Sequence, residues 1–333
     1  MALTLKEIAK LSGVSTATVS HVINGTRFVS EETKAKVLKV INDVGYRTNF
    51  VARSLRSKKS YTVGLIVPDI SNSFFAAITE TISRYLKEKG YYLILANSDE
   101  NRENEIDEIN VFSSQIIDGL IVAPVAESHG FMNEVLGESY PIVFIDRKPT
   151  GITRDCVLAD NSAGSYEVIS ALIKKGHSKI GIISGLKGLT PTEERLAGYK
   201  EALIKHGIPI NENFIKYSDS KFKGGYLSTQ ELLDSTDITA LYAANNPMTI
   251  GAVNCLIDNN IKIPDHISVV GFDDYDWAKI TNPPLTVVKQ PIQEMSIKAV
   301  ELLLNRINSD EPMEYKDYRL PTSVVYRESF KGD

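Results

Sequence analysis

Apolar residues in the first 45 positions recur at helical spacing and are interrupted at regular points. Thr4 precedes Glu7 by three residues, the spacing at which each side chain satisfies the other's free backbone N–H at a helix start. Ile8 and Leu11 then supply the apolar face of a first helix, which Ser12-Gly13 breaks. Ser15 offers a second cap, and a second helix is predicted through Ile23, with Val19, Val22 and Ile23 facing inward and Gly25 as its stop. A third cap, Ser30, opens a helix whose Val37, Val40, Ile41 and Val44 form one stripe, with acids in its first turn and Gly45 after its last.

From Tyr61 onward the period changes. Short apolar runs, TVGLIVP, YYLILAN, DGLIVAP, PIVFID, KIGIISG, FIKYSD, ALYAAN, SVVGFD and LTVVKQ, alternate with amphipathic stretches such as FFAAITETISRYLKEKG and RLAGYKEALIKHG, which end in Gly. That alternation predicts βαβ units and parallel sheets. Nine strands exceed one small sheet, and VLADNSAG lies midway, so two lobes enclosing a cleft are expected.

Composition narrows the class. At 333 residues the chain exceeds one ordinary core, and 43% hydrophobic with 24% charged residues is typical of a globular protein. No apolar run approaches a membrane span and MALTLKEIAK lacks a signal pattern, so a cytoplasmic protein without a membrane role is expected. Cys156 and Cys255 fit neither a disulfide framework nor a zinc motif, so no metal or cofactor is expected. The net charge of −5 hides an asymmetry: residues 1–60 hold 11 Lys and Arg against 4 Asp and Glu, a net of +7, and the remainder 26 against 38, a net of −12. A basic head of that kind neutralises phosphates, while the acidic body is repelled by them.

Helix, three-residue turn with Gly, helix is the geometry that frees a second helix to enter the DNA major groove. The outer side of that helix carries Thr16, Ala17, Thr18, Ser20 and His21, small or polar groups that permit close approach to DNA. In parallel sheets ligands bind beyond the carboxyl ends of the strands. The residues following the apolar runs there are Asn72, Phe74 and Phe75, then Asp146 and Arg147, Arg195, Phe222, Asn245, Asp273 and Gln290. Aromatic faces ringed by carboxylate, guanidinium and amide groups suit a small polyhydroxylated ligand, a sugar.

The segment LKEIAKLSGVSTATVSHVINGTRFVSEETKAKVLKVINDVGYRTNFVARSL resembles the DNA-binding head and hinge of the LacI/GalR family of transcriptional regulators. The resemblance implies base contacts by Thr16, Ala17 and His21, and phosphate contacts by Ser15, Thr18, Ser20, Asn24 and Thr26, joined by Arg27. Asn49 to Arg56 is similar to the family's hinge, whose leucine, here Leu55, wedges into the minor groove between phosphate-holding Arg53 and Arg56. Thr48 stands where the family commonly has Pro.

The body resembles the family's effector domain and periplasmic sugar-binding proteins through VGLIVPDISNSFF, IDR, GHSKIGIISG, RLAGY, VVGFDD and PPLTVVKQP, and its pocket positions resemble the ribose-binding branch. The likeness implies ring stacking by Phe74, Phe75 and Phe222 and hydroxyl contacts by Asn72, Asp146, Arg147, Arg195, Asn245, Asp273 and Gln290. Asn245-Asn246-Pro247 replaces the family's usual Asn-Asp, and Leu189 stands where purine-binding relatives place a cation.

The expected fold is an N-terminal all-α helix-turn-helix head on an α/β, periplasmic-binding-protein-like body of two doubly wound parallel-sheet lobes. Residues 1–47 form the DNA-binding domain, 48–60 the hinge and linker, and 61–333 the effector-binding and dimerisation domain. Its N-lobe spans about 61–160 and 292–321, and its C-lobe about 161–290 and 322–333. The expected function is a homodimeric repressor that binds a palindromic operator and is released by ribose or a similar aldose. A corepressor-dependent or catabolite-control regulator, partnered by a phosphocarrier protein, is the alternative within the class. A sugar transport protein conflicts with the missing signal pattern and the basic head. An enzyme lacks the usual catalytic motifs, and Arg147 and Arg195 are expected to hold Asp146 and Asp273 both ionised, without a proton donor for glycoside chemistry.

Overall fold

In the computed structural model, residues 4–24, 27–45, 59–115, 117–125, 128–309, 311 and 313–330 are described, and contacts divide the chain into two units at Ser60–Tyr61. The first unit holds α1 (Leu5–Ser12), α2 (Thr16–Asn24) and α3 (Glu31–Asp43). The Glu7 carboxylate accepts the Thr4 N–H at 2.6 Å, and α1 ends at Gly13, whose φ of +64° only glycine adopts without strain. Ser15 Oγ accepts the Thr18 N–H at 3.0 Å to start α2, and Ser30 caps α3 in the same way. Ile8, Ala9, Val19 and Val37 form the small core. Leu11 is not on the buried face of α1 but 57% exposed. Four residues after Ile8, Ser12 takes the inner position instead, its hydroxyl satisfied by the Ile8 carbonyl at 2.6 Å. Gly25 lies outside the described residues.

The second unit begins with β1 (Thr62–Val67), α4 (Ser73–Glu88), β2 (Tyr92–Asn97), α5 (Arg102–Ser114), β3 (Gly119–Val122), α6 (Phe131–Leu136), β4 (Ile142–Ile145) and β5 (Asp155–Ala159). It continues with α7 (Asn161–Lys174), β6 (Ile180–Ser184), α8 (Thr190–Lys205), β7 (Ile215–Tyr217), α9 (Phe222–Ser235), β8 (Ala240–Ala243), α10 (Asn246–Asp258), β9 (Ser268–Phe272), α11 (Asp276–Ile280) and β10 (Thr286–Lys289). After α12 (Ile292–Asn308) come β11 (Asp317–Leu320) and β12 (Ser323–Val325). One sheet has the order β11-β5-β4-β3-β1-β2 and is parallel throughout; the other has the order β12-β10-β9-β8-β6-β7.

All nine strands expected from the apolar runs are present. The three others were not expected: β5 is a short apolar run, CVLA, behind a buried Asp155, β11 alternates exposed and half-buried residues, and β12 has three residues. β12 pairs antiparallel with β10, so the second sheet is not wholly parallel.

Buried apolar residues cover both faces of the first sheet and pack as one large cluster around the second. The chain passes between lobes after β5, after β10 and after β11. Two of these passages are tied together, Asp160 donating its N–H to the Leu320 carbonyl at 2.8 Å and accepting the Thr322 hydroxyl at 3.0 Å. In each sheet the strand order reverses beside the first strand, at β1 and at β6, which places a crevice at the carboxyl ends of the strands. Among the described residues, no helix is long and apolar enough to cross a membrane.

Helices α9 and α10 approach through glycines. A Cβ on Gly251 would lie 2.1 Å from the Phe222 carbonyl oxygen, and one on Gly225 would lie 2.4 Å from that of Met248. Gly251→Ala therefore has to push two backbones apart, and a loss of about 1–3 kcal/mol in denaturant unfolding is expected. Unchanged stability would mean that the helices separate freely.

Candidate functional site

In the head, Thr16, Ala17 and Arg27 are exposed and Thr18, Ser20 and His21 are half-buried, so the outer side of α2 presents small and polar groups while Val19 is fully buried. Ser15 and Thr18 share a hydroxyl contact of 2.9 Å in addition to their cap, which fixes the first turn of α2. The side chain of Asn24 is not described, and Thr26, Asn49, Arg53, Leu55 and Arg56 lie outside the described residues.

In the body, nine of the ten residues expected at strand ends line one cavity, on either side of the crevice. Asp146 and Asp273 occupy equivalent places. Each is the first residue after a strand, β4 or β9, each has a left-handed φ, +68° and +75°, and each donates its N–H to the next strand, at Val157 and Val288. Side chains pay for such backbone only when the surroundings hold it; here the turn sets a carboxylate at the cavity wall of each lobe.

Gln290 donates Nε2 to Asp273 Oδ1 at 2.7 Å, and its buried Oε1 has no hydrogen-bond partner among the described residues. Arg195 lies 3.6 Å over the Phe272 ring, donating Nε to Asn161 Oδ1 at 2.9 Å and Nη1 to the Ala244 carbonyl at 2.6 Å. Phe74 and Phe75 meet edge to face at 5.1 Å, with Arg147 5.7 Å above Phe75. Asn72 and Asn245 also serve as helix caps, accepting the N–H of Phe74 and of Met248; Asn245 further donates to the Ser220 carbonyl. Beside it, the Asn246 amide oxygen accepts the Trp277 indole N–H at 2.8 Å, a role that a carboxylate would fill in its place. Phe222 is the exception: it is 45% exposed and does not line the cavity, although Ser220 and Lys221 just before it do.

Arg147 and Arg195 favour the ionised form of the aspartates, and burial works against them. Burial pushes Asp146 up to about 6, against the pull of Arg147 and Arg195 and aided by Asp273 and Glu100. Asp273 is also raised by burial, in spite of Arg195, Gln290 and the Asn246 N–H. One reason is that Arg147 is already engaged: Glu100 accepts from Nη2 at 2.6 Å and from Nη1 at 2.8 Å. Glu100 obeys the same rule, since it follows β2. Asp219 and Lys221, after β7, and Thr192 also line the cavity. Among the described residues no cluster of His, Cys, Asp and Glu could hold a metal.

Residues 4–49 match the model of the bacterial regulatory proteins, lacI family, and residues 169–330 that of a periplasmic binding protein-like domain. Over 327 residues the chain is 36% identical to the ribose operon repressor of Haemophilus influenzae, covering 98% of each. It is 32% identical over 330 residues to the HTH-type transcriptional repressor PurR of Photobacterium profundum, again covering 98% of each. A solved LacI family transcriptional regulator from Enterococcus faecium with bound ribose superposes with a TM-score of 0.75 at 30% identity, covering 81% of this chain and 99% of that one. These relatives are named as regulators of transcription. With a head folded as a helix-turn-helix, a two-lobed α/β body and relatives matched from end to end, the chain belongs to the lacI family of bacterial regulatory proteins.

Proposed function

We propose that this chain represses a sugar-utilisation operon, binding a palindromic operator as a homodimer in the cytoplasm and leaving it when ribose or a similar aldose enters the cavity. The observation that carries this reading is the convergence of Asn72, Phe74, Phe75, Asp146, Arg147, Arg195, Asn245, Asp273 and Gln290 on one cavity. Aromatic rings on one side suit the C–H faces of a sugar, and two carboxylates with an unpartnered amide oxygen suit its hydroxyl donors. The bound ribose of the Enterococcus faecium regulator supports the same ligand class.

A dimer suits the exposed apolar residues: Tyr92, Ile94 and Leu95 on β2, and Leu227, Ile257 and Ile280 on the second lobe. In the head, Thr16, Ala17 and His21 read bases, Ser15, Thr18, Ser20, Asn24, Thr26 and Arg27 hold phosphates, and the hinge from Asn49 supplies Arg53, Leu55 and Arg56. Sugar closes the lobes, across which the Lys148 N–H already reaches Thr190 Oγ1 at 3.0 Å and Arg319 pairs with Glu194 at 2.7 Å. By linkage, sugar and operator weaken each other's binding by the same factor. The similarity to PurR makes corepression the competing sign.

Calorimetric titration with ribose, other aldoses and purines, with and without a palindromic operator, separates these readings. Saturable ribose binding that operator weakens supports induction; purine binding that operator strengthens replaces it with corepression. Arg195→Ala and Asp273→Ala are each expected to abolish sugar-dependent release while keeping operator affinity, and a variant released normally removes that residue from the site. Leu55→Ala is expected to weaken operator binding and leave sugar affinity alone; an unchanged operator affinity refutes the wedge.

The pH dependence follows from Asp146, which is ionised above about 6 and takes a proton below it, losing acceptor strength toward a sugar hydroxyl. Ribose affinity is expected to fall between pH 7.5 and 5. Stability moves the other way through this group, because the folded chain holds the proton more tightly than the unfolded chain, and a thermal melt at pH 5 separates weaker binding from unfolding. Affinity that is flat across the range excludes Asp146 as an acceptor.

A further inference from the structure

We infer that Glu100 sets the charge class of the ligand: by holding Arg147 in a two-pronged pair it makes the cavity accept neutral sugars and reject phosphorylated ones. This rests on the sugar-binding reading of the cavity and adds to it the residue that discriminates.

The pair has fork-to-fork geometry, Nη2 to Oε1 at 2.6 Å and Nη1 to Oε2 at 2.8 Å, and both side chains are mostly buried. The same fork on arginine is the one that recognises a phosphate. Glu100 therefore occupies, with its own carboxylate, the donors that a phosphoryl group needs. Its position is enforced by the backbone. Asp99 and Glu100 are consecutive non-glycine residues with left-handed φ, +53° and +51°, and the Glu100 N–H is bonded to the Pro68 carbonyl at 2.9 Å. Two such residues in a row are sparsely populated conformations that persist only where surrounding structure holds them.

The other cations of the cavity do not replace Arg147. Arg195 is committed to Asn161 and to the Ala244 carbonyl, and Lys221 is the one lysine among the lining residues. Five acids, Asp69, Glu100, Asp146, Asp219 and Asp273, face these three bases, a net of −2 when all are charged. A neutral ligand meets hydroxyl acceptors there, whereas a phosphate dianion meets repulsion and no uncommitted fork. Replacing Glu100 by an uncharged group removes one repelling charge and frees the Nη2 end of the Arg147 guanidinium, whose Nη1 keeps the Pro124 carbonyl at 3.3 Å.

The test uses the full-length protein and its Glu100→Gln and Glu100→Asp variants, titrated calorimetrically at pH 7.5 with ribose, ribose 5-phosphate and inorganic phosphate. Thermal melts establish that each is folded. The wild type is expected to prefer ribose and to bind no inorganic phosphate. In Glu100→Gln the preference for ribose over ribose 5-phosphate should shrink by about tenfold or more, with saturable phosphate binding, while Glu100→Asp keeps the wild-type pattern. A Gln variant that weakens both sugars equally and still ignores phosphate overturns the inference and leaves Glu100 a structural prop. Phosphate binding equal in wild type and variant also overturns it. If ribose binds to neither protein but phosphate binds only to Glu100→Gln, the sugar reading fails and the charge role stands.

Discussion

A carboxylate or guanidinium taken out of water loses several kcal/mol of hydration unless neighbouring groups replace it. The cleft of this regulator buries Asp146, Asp273, Arg147 and Arg195 together, and its remaining features follow from that cost. Glu100 neutralises one guanidinium, and the Phe272 ring, the Ala244 carbonyl and Asn161 support the other. The aspartates are less well served, and both are raised. Below the cleft lies a fully buried pair, His129 and Glu105 at 2.9 Å, whose second carboxylate oxygen takes the Val125 N–H at 2.7 Å. The interior of the first lobe is thus polar close to its ligand face.

The lobes solve the same problem with the same backbone. A strand ends, a left-handed aspartate follows, and its N–H is taken by the neighbouring strand, once at β4 and once at β9. Around these anchors the lobes differ: the first contributes Phe74, Phe75 and the Glu100–Arg147 pair, the second Arg195, Asn245 and the amide of Gln290 on the passage back to the first lobe. A ligand touching both anchors bridges the cleft, and the bonds that already cross it, Lys148 to Thr190 and Arg319 to Glu194, limit how far the lobes can separate.

Much of this was legible along the chain because parallel sheets write a strong signal. A strand buried on both faces must be apolar throughout, as TVGLIV and SVVGF are, and its carboxyl end marks the ligand side without further information. The signal fails in the short strands added last. β11 lies at a sheet edge with alternate residues exposed, and β12 is a three-residue strand, so neither reads as a core strand. Leu11 shows a different failure, since spacing alone does not tell i+3 from i+4 on a short helix, and a serine able to bond its own helix took the inner place. The upward shift of Asp146 is not legible, because its sequence proximity to Arg147 says nothing of Glu100, 47 residues earlier, which pairs with the guanidinium. Phe222 opens α9 and faces solvent, while Ser220 and Lys221 just before it line the cavity.

The passages between lobes carry a consequence for biosynthesis. β11 completes the first sheet beside β5, and β12 completes the second beside β10, while Ser329 accepts the Val269 N–H and its hydroxyl accepts that of Thr286. Neither sheet is finished until residues 317–329 have left the ribosome. A nascent chain up to α12 carries two incomplete sheets with open edges, so neither lobe can complete its sheet before its own late strand, β11 for the first and β12 for the second, has been added.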